Sequence, residues 1–449
     1  MQIGIKSLGC PKNLVDTEVI CGKLLEKGYS ISGEIENSDI AIINTCSFIK
    51  DAVEESIEEI LNLIKLKNEG KIKHIIVTGC LPQRYIKEKI NEELPEIDAF
   101  MGVSELLEVG GVIEKILQNK KICQVGENPN YLYNHKTPRI LLTPQHYAYV
   151  KIAEGCNNHC TYCMIPTLRG NYRSRKMDDI IEEVIGLSEN KSLREIILIA
   201  QDTTLYGHDI YGEYKLAELL KKLSLLKMDN LKWIRILYTH PAHYFDKLIE
   251  VMATYPKVCP YLDIPLQHIN NKILKKMNRK IGKKDIEKII NKSRGKIPNL
   301  ALRTTFIVGF PGETDKDFEE LLDYIKEVKF DKLGVFTYSR EKGTPAYDFS
   351  HQIPLKVKKQ RMETLMMAQQ KISKEKNNSF LGKVKDVLID EIDKNDNFMA
   401  IGRTMTDAPE IDGKVFVNTD NAKDKVKVGE FVKTKIIDAS EYDLFGELV

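Results

Sequence analysis

The chain has 449 residues, which at roughly 150 per domain predicts about three domains. With 42% apolar and 8% aromatic residues it can bury several ordinary cores, and its net charge of +2 (67 Lys plus Arg against 65 Asp plus Glu) excludes a generally basic nucleic-acid coat. No apolar run approaches the roughly 18 residues of a membrane span, and the N-terminus lacks an export signal's charged and apolar regions, so a soluble, cytoplasmic protein is expected.

Short apolar runs alternate with helical patterns from the first residue. Gln2–Gly9, Asp39–Thr45, His74–Gly79, Ala99–Val103 and Ile122–Val125 read as strands, and Asn13–Lys27, Ala52–Lys67 and a segment led by Pro82 read as helices. Strands alternating with helices predict a doubly wound parallel sheet. Between 126 and 147 the pattern breaks at Gly126, Pro129, Pro138 and Pro144, and the stretch reads as a linker.

A second alternation follows, with strands at Ala148–Ala153, Glu195–Gln201, Trp233–Tyr238, Tyr261–Pro265, Leu302–Gly309 and Leu333–Tyr338. Asp178–Glu189, Tyr214–Leu225, Ala242–Thr254 and Asp315–Val328 are helical between them. Six such units are too few for an eight-fold barrel, so a partial (β/α)6 barrel is predicted. A long helix, about Leu355–Asn377, leads out of it. The remainder carries β-like runs at Val384–Ile389, Val415–Val417 and Phe431–Ile437 between Asp, Asn and Gly turns, as in a small all-β barrel. The fold class is therefore α/β with an added β module, divided at 1–125, 126–141 (linker), 142–375 and 376–449.

The cysteines carry the chemistry. Nine of them, in a chain with no export signal, favour metal or redox chemistry over disulfides. Cys156, Cys160 and Cys163 fall within eight residues just after the first barrel strand. Three thiolates suit a four-iron cluster with one iron left open to bind a substrate. The competing reading is a structural zinc site with His159 as fourth ligand, although zinc sites usually pair two well-separated knuckles and His159 is expected to face outward. Cys10, Cys46 and Cys80 each follow a predicted parallel strand directly, and in a doubly wound sheet such strand ends converge on one edge. Three of three at that edge predict a shared metal site. Cys21, Cys123 and Cys259 have no partner in sequence and read as structural. Gln201, Asp202 and Gln267 lie at other predicted strand ends, where ligand contacts collect in such barrels. Gly309, Gly312 and Glu313 form a glycine-rich turn at the barrel mouth, where backbone can approach a flat ring.

The Cys156–Cys163 spacing resembles the radical S-adenosylmethionine superfamily. With the N-terminal thiols and the β module, the whole chain resembles the methylthiotransferase family, most closely its RimO type. The residues that carry this are Ser7-Leu8-Gly9-Cys10-Pro11-Lys12-Asn13-Leu14-Val15-Asp16-Thr17-Glu18, Glu154-Gly155-Cys156-Asn157-Asn158-His159-Cys160 and Glu441-Tyr442-Asp443-Leu444-Phe445-Gly446-Glu447. The resemblance implies two [4Fe-4S] clusters, one on each thiol trio. It implies two S-adenosylmethionine molecules per turnover, contacts to them from the strand-end residues and the glycine-rich turn, and a methylthio group placed on the β-carbon of an aspartate in small-subunit ribosomal protein twelve. An electron donor and a sulfur donor are implied, with no membrane. It also makes the β module a TRAM-like domain.

Charge bears on the substrate. Residues 380–449 hold 10 basic and 15 acidic residues, a net of −5, which is a poor clamp for RNA phosphates and suits a basic ribosomal protein better. Residues 271–296 hold 11 basic residues against Asp285 and Glu287, a net of +9; this reads as a solvated lysine-rich face, with contact to ribosomal RNA as its alternative. Two rival readings fit the same residues: a tRNA-adenosine methylthiotransferase, and a non-enzymatic metal-cluster protein.

Overall fold

Runs such as Ile40-Ala41-Ile42-Ile43 and Ile75-Ile76-Val77 are apolar on both faces, so they need a sheet with helices on both sides. The computed structural model, which describes residues 1–243, 246–393, 399–419 and 426–449, builds that sheet. β1 (Gln2–Ser7), β2 (Ser30–Ser32), β3 (Ile40–Thr45), β4 (His74–Gly79), β5 (Ala99–Met101) and β6 (Ile122–Gln124) pair in the order 2-1-3-4-5-6, parallel throughout. Helices Pro11–Glu26 and Val109–Ile116 cover one face, and Lys50–Asn68 covers the other. The connections reverse between β1 and β3, the kind of point where such sheets bind ligands.

The middle of the chain forms β7 (Tyr147–Lys151), β8 (Ala153–Glu154), β9 (Arg173–Ser174), β10 (Glu195–Ile199), β11 (Trp233–Ile236), β12 (Tyr261–Asp263), β13 (Ala301–Val308) and β14 (Lys332–Thr337). Six of these run parallel as two triplets, β7-β10-β11 and β12-β13-β14. The triplets join where the Cys259 N–H donates to Ile234 O (2.9 Å). This is the expected partial barrel. The expected strand Ala148–Ala153 is broken at Ile152, and its continuation β8 turns aside to pair antiparallel with β9. That ribbon clamps both ends of the loop carrying Cys156, Cys160 and Cys163. The helix expected from Ala242 is described as Asp246–Thr254; residues 244 and 245 lie outside the described residues.

One large apolar cluster fills the space between strands and outer helices, and a second fills the barrel interior. The interior cluster contains Tyr149, Ile197, Ile199 and Leu237 from the strand segments, Val15 and Val19 from the first helix of the N-terminal domain, and Leu388 and Ala408 from the C-terminal module. The open barrel is thus completed by its two neighbours.

The C-terminal strands β15 (Val384–Asp393), β16 (Met399–Arg403), β17 (Val415–Asn418), β18 (Phe431–Ala439) and β19 (Leu444–Leu448) close into a barrel. Three were legible in the sequence. β16 and β19 were not, because Gly402 and Gly446 interrupt their apolar runs; a Cβ there would stand 2.3 Å from Leu388 O and 2.7 Å from Lys435 O, so tight closure needs glycine. The module packs on the start of the barrel strands, where Arg403 pairs with Glu195, the first residue of β10, and Trp233, the first of β11, meets Phe431 edge to face at 4.9 Å. It is therefore at the end opposite the strand C-termini. The segment between β6 and β7 is irregular yet packed: Tyr133 is buried, and Arg139 pairs with Glu18 (2.6 Å) and Glu183 (2.7 Å). Among the described residues, no helix is long and apolar enough to cross a membrane.

Candidate active site

Adjacency of β1, β3 and β4 brings Cys10, Cys46 and Cys80 to one sheet edge. Gly9 adopts φ +87°, and a Cβ on it would stand 2.7 Å from Cys46 Cβ, so the turn before Cys10 presses directly against the second thiol. Asn13 ties the same turns together, donating to Leu8 O (3.0 Å) and Thr45 O (2.9 Å). All three thiols are free. Burial pushes Cys46 up to about 12 and also raises Cys80. Cys10 goes the other way: burial opposes ionisation, but the neighbouring Lys12 and Arg169 cations outweigh it and lower its thiol. Lys12 is itself buried, with its ammonium 3.2 Å from the centre of the Tyr238 ring, just beyond β11. The trio therefore faces the barrel mouth.

The second trio is held by the β8–β9 ribbon. Gly155 has φ +73°, and a Cβ on it would stand 2.1 Å from Asn171 O, where the two ends of the loop meet. The Cys156 N–H closes the loop on Gly170 O (3.1 Å). Thr161 and Asn278 pin the outer part: the Thr161 N–H donates to Met277 O (3.1 Å) and Asn278 Nδ2 to His159 O (2.9 Å). His159 is exposed, as its position between two thiols predicted. Arg279 Nη1 lies 3.7 Å from Cys160 Sγ. Burial raises Cys156 to about 11 and raises Cys163 further.

The donor set and spacing suit clusters better than single ions. Two thiolates about 2.3 Å from one zinc lie at most about 4.6 Å apart. Among the described residues, the His, Cys and carboxylate set whose donor atoms all approach within 4.8 Å is Asp202, His240 and His243, and neither thiol trio does so. Three thiols too widely spaced for one ion, Cys10 and Cys163 half-buried and the other four buried, with an Arg beside a sulfur in each trio, fit the separate irons of a cube.

Asp202 and its histidines do not read as a cation site. Asp202 accepts from Asn158 Nδ2 (2.8 Å), Thr204 Oγ1 (2.6 Å) and the Leu205 N–H (3.2 Å), and its Oδ2 is 2.8 Å from His243 Nδ1. Burial opposes its ionisation, but these partners, His243 foremost, hold the carboxyl down at about 2. The Ala242 N–H donates to His240 Nδ1 (3.2 Å), so the neutral ring carries its proton on Nε2, which is buried without a protein partner. Burial, then Arg279, keeps that ring well below the usual histidine range. His240 offers a proton rather than a lone pair.

The other expected contacts fall as follows. Gln201 is half-buried two residues past β10. Gln267 follows β12 with φ +72° and a buried Oε1 that has no protein partner. The turn after β13 places a would-be Cβ of Gly309 2.3 Å from Lys358 Cγ and one of Gly312 2.4 Å from Lys276 Nζ. Glu313 accepts from the Gly309 and Phe310 N–H groups (2.8 and 3.2 Å) and pairs with Arg361 (2.8 Å), so its carboxylate braces the turn. Of the thiols read as structural, Cys21 and Cys259 are buried whereas Cys123 is exposed in the edge strand β6. Nothing in the sequence marks Arg169 or His240, and Arg279 is legible there only as one cation of the basic run 271–296; each reaches the site through a contact distant in the chain.

A cysteine-loop site at the C-terminal mouth of a partial parallel barrel defines a radical S-adenosylmethionine enzyme. The radical SAM superfamily model matches residues 150–325, an uncharacterized protein family, UPF0004, matches 2–102, and a TRAM domain matches 381–449. Ribosomal protein uS12 methylthiotransferases named RimO from Clostridioides difficile and Caldicellulosiruptor saccharolyticus are each 48% identical to the chain, covering all of it and 99% and 100% of their own lengths. The chain belongs to this RimO family. Among solved structures, the radical S-adenosylmethionine methyltransferase TsrM from Kitasatospora setae shares the fold, with a TM-score of 0.55 at 14% identity over 77% of this chain and 76% of its own.

Proposed function

We propose that this chain inserts a methylthio group at the β-carbon of an aspartate of ribosomal protein uS12, with a [4Fe-4S] cluster on each thiol trio and two S-adenosylmethionine molecules per turnover. The observation that carries the reading is the meeting of the two trios through one side chain, Arg169, which follows Cys163 by six residues and reaches Cys80 Sγ at 3.5 Å. An unactivated C–H bond and a sulfur source must share one chamber, and this contact joins the two loops at its wall. When bound, the cofactors supply a carbon radical that takes the substrate hydrogen and the sulfur with methyl group that replaces it. The chain's own residues shape the chamber. Cys156, Cys160 and Cys163 hold one cluster and Cys10, Cys46 and Cys80 the other. His240 Nε2–H and Gln267 Oε1 stand as buried donor and acceptor for a polar ligand.

The substrate side rests on relatives named for uS12 and on charge. The acidic excess of the C-terminal module is partly engaged within the chain: Asp390 pairs with His146 and Arg403, Asp407 with Lys332, and Asp412 with Tyr261. By contrast, Lys275, Lys276, Lys280, Lys284 and Lys288 form no ion pair among the described residues, while Lys272, Lys283, Lys292 and Lys296 do. Those free cations flank Arg279 and Asn278, which touch the cluster loop, and so suit ribosomal RNA around the target. Reduced, reconstituted enzyme is to be given S-adenosylmethionine with uS12 or with tRNA, and the products weighed by mass spectrometry. A methylthio adduct on the uS12 aspartate is expected; modified adenosine with unmodified protein overturns the assignment.

A further inference from the structure

Arg169 is the last residue of the short helix Ile165–Arg169, directly after the cysteine loop. Its side chain is 3% exposed and its guanidinium faces the N-terminal domain. Nη1 donates to Asp16 Oδ2 (2.6 Å) and lies 3.5 Å from Glu154 Oε2; Nη2 donates to Asn13 Oδ1 and to Cys80 Sγ (3.5 Å). Lys151 completes the network, pairing with Asp16 (2.5 Å) and Glu154 (2.7 Å). Two buried cations face two buried carboxylates, so the group is neutral before any charge on the sulfur is counted. Met164 and Leu168 pack on Cys80 and Val103 beside it. A simple structural clamp needs only the contacts with Asp16 and Asn13; the nitrogen that meets Asn13 also reaches the sulfur.

We propose that Arg169 is a positioning residue for the cluster on Cys10, Cys46 and Cys80, fixing Cys80 and stabilising that cluster's reduced form through its N–H···Sγ contact. This rests on the two-cluster reading above. A hydrogen bond to a cluster sulfur and a nearby positive charge both favour the more negative, reduced state. Removing the cation has a second effect in the same direction, because it leaves Lys151 as the one cation in direct ion pairs with Asp16 and Glu154 among the described residues.

The test uses a background in which Cys156, Cys160 and Cys163 are all Ala, so that only the N-terminal trio can hold iron. After anaerobic reconstitution, R169M should retain about four irons per chain. Its midpoint potential should be more negative than that of the Arg169 background, and its dithionite-reduced EPR signal several-fold weaker. R169K, which keeps a charge but not the fork, should fall between them. Should R169M not accumulate, R169K carries the test through the same potential and spectrum. Iron-loaded variants with the potential and signal of the background overturn the role of Arg169. A background protein that takes up no iron overturns the two-cluster reading itself, and this inference with it.

Discussion

Asn158 Nδ2 donates to Asp202 Oδ2 at 2.8 Å, fastening the middle of the cysteine loop to the segment beyond β10. Asp202→Ala leaves the Asn158 amide, Thr204 and His243 without their shared acceptor in a buried site, which costs about 2–3 kcal/mol. Urea unfolding should show that loss. Iron retained by Cys156, Cys160 and Cys163 should fall with it when the N-terminal trio is Ala; unchanged iron and midpoint argue against the fastening.

The two trios should separate by mutation. Cys156→Ala is expected to abolish both 5′-deoxyadenosine formation and product. Cys46→Ala is expected to leave 5′-deoxyadenosine formation intact and stop methylthiolation. Chromatography of the nucleoside and mass spectrometry of the substrate read the two steps independently, and full methylthiolation by Cys46→Ala contradicts the sulfur-holding role.

Glu195 lies fully buried between Arg235 and Arg403, with Arg235 Nε at 2.7 Å. Glu195→Ala strands two guanidinium groups at the join between the barrel and the C-terminal module. A loss of about 3–5 kcal/mol is expected. Limited proteolysis should then cut near 380 sooner than in the parent chain; equal cleavage rates and equal stability count against the join.

His268 is fully buried, and burial lowers it to about 4. Its folded value lies below the unfolded value near 6.5, so the unfolded chain binds the proton first as pH falls. Its contribution is complete above about pH 6.5 and declines towards pH 4, by up to about 3 kcal/mol. Buried Glu313, 3.8 Å away and raised to about 7, titrates in the opposite sense over this window, so the His268 slope is read as the difference between parent and His268→Gln denaturant midpoints; parallel profiles count against it.

Lys275, Lys284 and Lys288 are exposed and form no ion pair among the described residues. Changing all three to Glu should weaken binding to small ribosomal subunits and reduce the log–log salt slope by about 2–3. Activity on isolated uS12 should persist. An unchanged slope returns this face to plain solvation.

The sequence by itself determined the alternation that makes the two α/β domains, the β character of the last segment and the positions of the six thiols. These are local properties: periodicity and residue type are written in consecutive residues, and Cys10, Cys46 and Cys80 each come directly after a strand-forming run. It did not determine which strands neighbour one another. Only the order 2-1-3-4-5-6 places β1, β3 and β4 side by side and their thiols on one edge. Tertiary structure alone decided the partners of Arg169, which lie 15 to 156 residues away along the chain, and the placement of the C-terminal module at the floor of the barrel. Such contacts depend on how completed elements pack, and a buried charge declares its role only once the opposite charge has been carried to it.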